Sequence, residues 1–129
     1  MGPERDPGLV AELRARGADV RGFVEKEELA RLYREAAALL FPTRYEGFGL
    51  PVAEAMASGT PVVATPDAAV HEVGGDAVAY ADPAQFAETL ARVLADPAPW
   101  TTAGLERAAT LSWAETARRT VAVYREVLA

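Results

Sequence analysis

Three short apolar runs alternate with stretches of helical spacing, and this alternation limits the possible folds more than any other feature of the 129-residue sequence. The runs are AALLF at 37–41, PVVAT at 61–65 and AVAY at 77–80. Each has strand length and is rich in residues that pack on a pleated surface. Gly, Pro or Asp bounds the last two, as it bounds buried parallel strands. A strand, a helix and a further strand in succession pair in parallel through a right-handed crossover, so a layered, Rossmann-like α/β architecture is expected. A fourth, brief strand is expected at Ala18 to Arg21, which makes a parallel sheet of about four strands flanked by helices. Doubly wound domains normally carry five or six strands and begin on one. This chain begins on a helix.

The helices are marked by their ends. Leu9, Val10 and Leu13 repeat at helical spacing and Gly17 follows as a C-terminal cap; Leu29, Leu32, Tyr33 and Ala36 form the face of a second helix. Pro51 suits the start of a helix, where a missing N–H costs nothing, and Gly59 suits the residue beyond its end. DPAQ at 82–85 reads as an N-cap, a proline and a capping-box glutamine, with Phe86, Leu90, Val93 and Leu94 on one face. A short helix is expected near 98–109. SWAE at 112–115 reads as a second capping box, opening a last helix with Ala117, Val121, Tyr124 and Leu128 inward. Residues 1–129 are expected to form one domain.

Composition narrows the function. A formal net charge of −6, with the Lys and Arg dispersed, argues against nucleic acid as a partner, since phosphate-backbone binding needs clustered cations. With no cysteine there is no disulfide framework and no thiolate metal site. The longest apolar stretch, Ala36 to Pro42, is far shorter than a membrane span. MGPERDPG has neither a basic n-region nor an apolar h-region, so no signal peptide is expected and a cytoplasmic setting is.

Open α/β sheets bind ligands beyond the carboxyl ends of their strands, which directs attention to the loop after AALLF, FPTRYEGFGLP. Glycines on both sides of Phe48 let the backbone approach a ligand closely. The amides of Gly49 and Leu50 precede a helix N-terminus, which attracts anions through unpaired N–H groups and the helix dipole. Glu46 lies before the glycines and Glu54 in the first turn of the helix, and a carboxylate can accept two hydroxyl donors, as acidic residues do for ribose. The spacing alone fits two readings: a ligand site for phosphate and polyol groups, or a capped turn with solvated carboxylates.

The segment YEGFGLPVAEAMASGTPVVAT is similar over its whole length to the signature of family-4-type retaining glycosyltransferases of the GT-B fold, also called glycosyl transferases group 1. The family's hallmark E-x7-E pair is matched by Glu46 and Glu54. ADVRGFVEKEELARLYREA, HEVGGDAVAYADP and LSW resemble the neighbouring blocks, so the likeness covers nearly all of the chain. It implies the C-terminal, donor-binding domain of an enzyme that moves a hexosyl group from a nucleotide diphosphate sugar to an unknown acceptor. By position, it implies that Glu46 faces the transferred sugar as the catalytic, donor-orienting group. It also implies that Glu54 holds the ribose and that Gly47, Phe48, Gly49 and Leu50 present amides to sugar and diphosphate. Gly22, Phe23 and Val24 would border the base. The family retains anomeric configuration and uses neither metal nor cofactor, which agrees with the lack of an Asp-x-Asp motif here.

The resemblance also implies what lies outside this sequence: an N-terminal acceptor domain and the Arg and Lys pair that usually meets the diphosphate. Arg44 is not at that pair's position. Met1-Gly2-Pro3 resembles the end of a strand at its glycine turn, and a truncated product with weak or no transferase activity alone is expected. A non-catalytic nucleotide-sugar binding module is the alternative. His71 stands where the family commonly has proline and is given no role. Glu72 matches the family's usual acid in its block but reads as a solvated helix-end carboxylate. Trp113 and Trp100 read as core or docking surface, and Arg118 and Arg119 as a solvated helix face.

Overall fold

The computed structural model describes residues 6–128, and the start at Met1-Gly2-Pro3 lies outside the described residues. The chain divides into two compact units, residues 1–31 and 32–129. In the first unit, helix α1 (Pro7–Ala15) opens on Asp6, whose carboxylate accepts the Leu9 amide at 3.0 Å, with Pro7 at the start of the helix. Gly17 at φ +87° lets the chain turn out of α1.

The expected strand at Ala18 to Arg21 does not form: residues 18–25 are irregular. Side-chain contacts, not a ladder, hold the segment. The Arg14 guanidinium donates to the Val20 carbonyl at 3.3 Å, and Arg21 bridges Asp19 at 2.7 Å and Glu28 at 2.8 Å. With one half-buried valine among charged neighbours, Ala18 to Arg21 has little apolar surface to pack in a sheet. Helix α2 (Lys26–Glu35) follows and continues into the second unit.

The second unit holds a three-stranded parallel sheet in the order β1-β2-β3, one strand fewer than expected. Strand β1 (Leu39–Phe41) pairs with β2 (Val62–Ala64), Leu39 opposite Val62 and Phe41 opposite Ala64. Strand β3 (Ala79–Tyr80) pairs with β2 through Val63 and Ala79. Alternate residues of β2 separate the core into two layers, as the two-residue period of a strand requires. Val62 and Ala64 pack with Val52, Ala55 and Met56 of helix α3 (Leu50–Ala57) and with Val70 and Val73 of helix α4 (Ala68–Gly74). Val63 packs with Ala79 and with Val93 of helix α5 (Phe86–Ala95), backed by Phe86, Leu90 and Trp100. Helix α6 (Ala98–Ala109) packs on α3, and helix α7 (Trp113–Leu128) ends the described chain.

The helix ends bear out some expectations and revise others. Gly59 at φ +78° stands just beyond α3, and Pro51 lies in its first turn. The capping box at DPAQ is not made. Asp82 contributes its backbone carbonyl, not its side chain, to the Gln85 amide at 2.8 Å, and Pro83–Gln85 tightens into a 3-10 turn before α5. At the last helix, Ser112 Oγ accepts the Glu115 amide at 3.4 Å, while the Glu115 carboxylate pairs with Arg118 and Arg119. Leu94 is exposed, and so are Ala117, Val121, Tyr124 and Leu128, which were expected inward. The helical period was right. Among the described residues no layer covers that face, and α7 has no buried residue.

The ends of α4 are held by polar contacts. Asp67 accepts the amides of Ala69 and Val70, and Arg107 donates to the carbonyls of Glu72 and Val73, placing a cation at the negative end of the helix dipole. His71 stacks on Tyr80 with ring centroids 3.7 Å apart.

Candidate functional site

The loop from Pro42 to Gly49 connects the carboxyl end of β1 to the amino end of α3, the position at which a parallel sheet exposes a ligand site. Glu46 is half-buried and its carboxylate accepts the Thr43 hydroxyl at 3.0 Å; the same hydroxyl lies 3.1 Å from the Tyr45 carbonyl. The Thr43 carbonyl accepts in turn from Thr65 Oγ1, just past β2. A chain of polar contacts therefore ties the Glu46 carboxylate to the end of the central strand. Thr43 and Thr65 went unnoticed in the sequence because the pairing spans 22 residues.

Gly49 is buried at φ +91°, a left-handed conformation that L side chains rarely adopt, and it caps α3. The first amides that α3 uses itself belong to Val52 and Ala53, both donating to the Gly49 carbonyl. Pro51 has no N–H, so the Gly49 and Leu50 amides are what the helix N-terminus presents ahead of that first turn. Gly47 faces open space, with nothing within 4 Å of a Cβ built there. Phe48 and Leu50 are about half exposed.

Glu54 is not in the first turn of α3 but one residue past it, about 6 Å along the helix from Leu50 at 1.5 Å per residue. Its exposed carboxylate accepts the Tyr33 hydroxyl at 3.3 Å. Burial, reinforced by the Glu54 carboxylate, pushes the Tyr33 hydroxyl up to about 12. Glu54 also lines a groove of about 540 Å³ with Phe48, Leu50, Ala53 and Ala57 on one side and Leu111, Ser112, Trp113 and Thr116 on the other. The groove brings Phe48, Leu50 and Glu54 together. Glu46, Gly47 and Gly49 do not line it. Gly22, Phe23 and Val24 belong to the first unit, in its irregular segment, where Phe23 is exposed. Arg44 is exposed, as are Arg118 and Arg119 on the last helix. Among the described residues no group of three or more His, Asp or Glu gathers as metal ligands would.

A parallel α/β sheet with a glycine turn beyond its first strand, followed by a helix whose second turn carries an acid, is the arrangement in which open α/β domains place a ligand site. The chain belongs to the family of glycosyl transferases group 1, which residues 1–96 match. It is 37% identical over 110 residues to the O-antigen chain mannosyltransferase B of Escherichia coli, covering 81% of this chain and 29% of that protein. It is 41% identical over 112 residues to a D-inositol 3-phosphate glycosyltransferase of Frankia alni, covering 80% of this chain and 27% of that protein. A sucrose-phosphate synthase structure from Thermosynechococcus elongatus matches with a TM-score of 0.79 and 31% identity, over 94% of this chain and 33% of that one. The chain thus spans about a third or less of the proteins it matches. The expected Rossmann-like GT-B architecture stands, with three strands in place of four.

Proposed function

We propose that this chain is the donor-recognition half of a retaining glycosyltransferase, which transfers a hexosyl group from a nucleotide diphosphate sugar to an acceptor held by an N-terminal GT-B domain. The observation that carries the reading is the segment from Glu46 to Glu54, where a left-handed glycine and a helix N-terminus lie between two separately anchored carboxylates.

The parts suit a donor with three chemical regions. The Gly49 and Leu50 amides and the α3 dipole meet diphosphate oxygens, a helix-terminal interaction of about 0.3–1 kcal/mol when exposed. This stabilisation grows as the leaving group takes up negative charge, so it favours the transition state over the bound donor. Glu46, held by Thr43, accepts hydroxyls of the transferred sugar and stabilises an oxocarbenium-like transition state. Glu54 accepts ribose hydroxyls, and Gly47 and Phe48 border the sugar. The reaction needs neither metal nor cofactor beyond the donor, and the protein acts in the cytoplasm. No helix among the described residues is long and apolar enough to cross a membrane.

Ligand-observed NMR with UDP, GDP and ADP sugars tests the proposal. Saturation transfer to one of the three donors, displaced by the matching nucleoside diphosphate, is the expected result. No transfer to any donor at millimolar concentration would leave the loop as a capped turn. Turnover by this chain alone would overturn the expectation that the isolated half is inactive.

A further inference from the structure

The contact between Tyr33 and Glu54 joins residues 21 positions apart and places the hydroxyl of a half-buried tyrosine against an exposed acid. Tyr33 is anchored on both sides. Its ring packs on the core formed by α3, α4 and β2, and its backbone carbonyl accepts the Thr60 hydroxyl at 2.5 Å. Glu54 is the reverse case: its neighbours Ala55 and Met56 are buried and hold the helix in place, while its own side chain reaches solvent with three free torsions. A glutamate in that position samples many rotamers unless something selects one.

We propose that Tyr33 is a positioning residue, which holds the Glu54 carboxylate in the orientation that receives the two ribose hydroxyls of the donor nucleotide. The inference rests on the donor-site reading above. The chemistry fits the count of donors and acceptors. An ionised carboxylate offers about four lone-pair sites on two oxygens and accepts only. Tyr33 takes one site on Oε2, which leaves Oε1 and the rest of Oε2 for a pair of vicinal hydroxyls. A tyrosine hydroxyl, with an ordinary value near 10, is a donor throughout the neutral range. Removing the hydroxyl leaves the ring and the charge of Glu54 in place but frees the carboxylate to roam. The loss should therefore fall on ligands that carry ribose hydroxyls and spare those that lack them.

The test compares the full chain with Tyr33→Phe, Glu54→Gln and the double variant. Each is titrated with UDP, GDP and ADP and with their 2′,3′-dideoxy counterparts. Tyr33→Phe keeps the ring that packs on the core, and its melting curve verifies the fold. The expected result is a loss of about three- to tenfold in affinity for the ribonucleotide, the size of one hydrogen bond. The dideoxy nucleotide should change less than about twofold, and Tyr33→Phe should add nothing in the Glu54→Gln background. Equal losses for both nucleotides would show a merely structural role and overturn the proposal, as would an unchanged ribonucleotide affinity. If Glu54→Gln removes the preference for ribose and Tyr33→Phe does not, only the positioning role fails. If Glu54→Gln leaves the preference intact, or no nucleotide binds the wild type, the donor-site reading falls as well.

Discussion

Gly104 of α6 lies directly against Met56 of α3: a Cβ at position 104 would stand 3.4 Å from Met56 Cγ. Both residues are buried, and the absent side chain lets the two helices pack closely. That contact braces the helix that carries Glu54.

Gly104→Leu extends a branched side chain beyond a Cβ that would already touch Met56. Overpacking of this kind costs about 1–3 kcal/mol, and the better helix propensity of leucine returns less than about 1 kcal/mol of it. Urea denaturation should show the midpoint falling with the slope unchanged. An unchanged midpoint would mean that α3 and α6 are not packed as described.

The two glycines of the loop differ in what they require. Gly49 has φ +91° with only an ordinary 3.7 Å contact to Val70 awaiting a Cβ, so Gly49→Ala is strained through its backbone, by about 1–2 kcal/mol. Gly47 has no left-handed φ and faces open space. Gly47→Ala should change stability by less than about 0.5 kcal/mol. Paired denaturation curves check the contrast, and equal losses would contradict it.

Stability should fall at high pH through the tyrosines. Tyr33 is raised to about 12, by burial first and Glu54 second, and Tyr80 is raised too, by burial first and Asp76 second. A hydroxyl raised in the folded state stabilises fully below its ordinary value near 10. That contribution is lost as pH rises through the folded value. The melting temperature should therefore drop between about pH 10 and pH 12, less steeply in Tyr33→Phe. Parallel curves for the two proteins would show that Tyr33 is not shifted.

Local chemistry made much of this fold legible, and long-range pairing accounts for what was missed. Pro51 and Gly59 bracket α3 because a proline and a glycine act within one turn of themselves, and strands formed inside the apolar runs at 61–65 and 77–80, at Val62–Ala64 and Ala79–Tyr80. The expected strand at Ala18 to Arg21 failed on the same ground, since Asp19 and Arg21 pair as charges. Val121, Tyr124 and Leu128 show the limit of periodicity, which identifies an apolar face but not what lies opposite it. At the site, Glu46 and Glu54 stood out by spacing. Tyr33 did not, because its place on a helix face reads as core until the fold brings its hydroxyl to Glu54.

The central claim is that the YEGFGLPVAE loop recognises a nucleotide donor. A 1H–15N correlation spectrum recorded while the chain is titrated with UDP, GDP and ADP tests it most directly. The largest shifts should fall on the amides of Gly47, Phe48, Gly49 and Leu50, with smaller ones along α3 near Glu54. Shifts that leave those four amides unmoved, or no shifts with any of the three nucleotides, would contradict it.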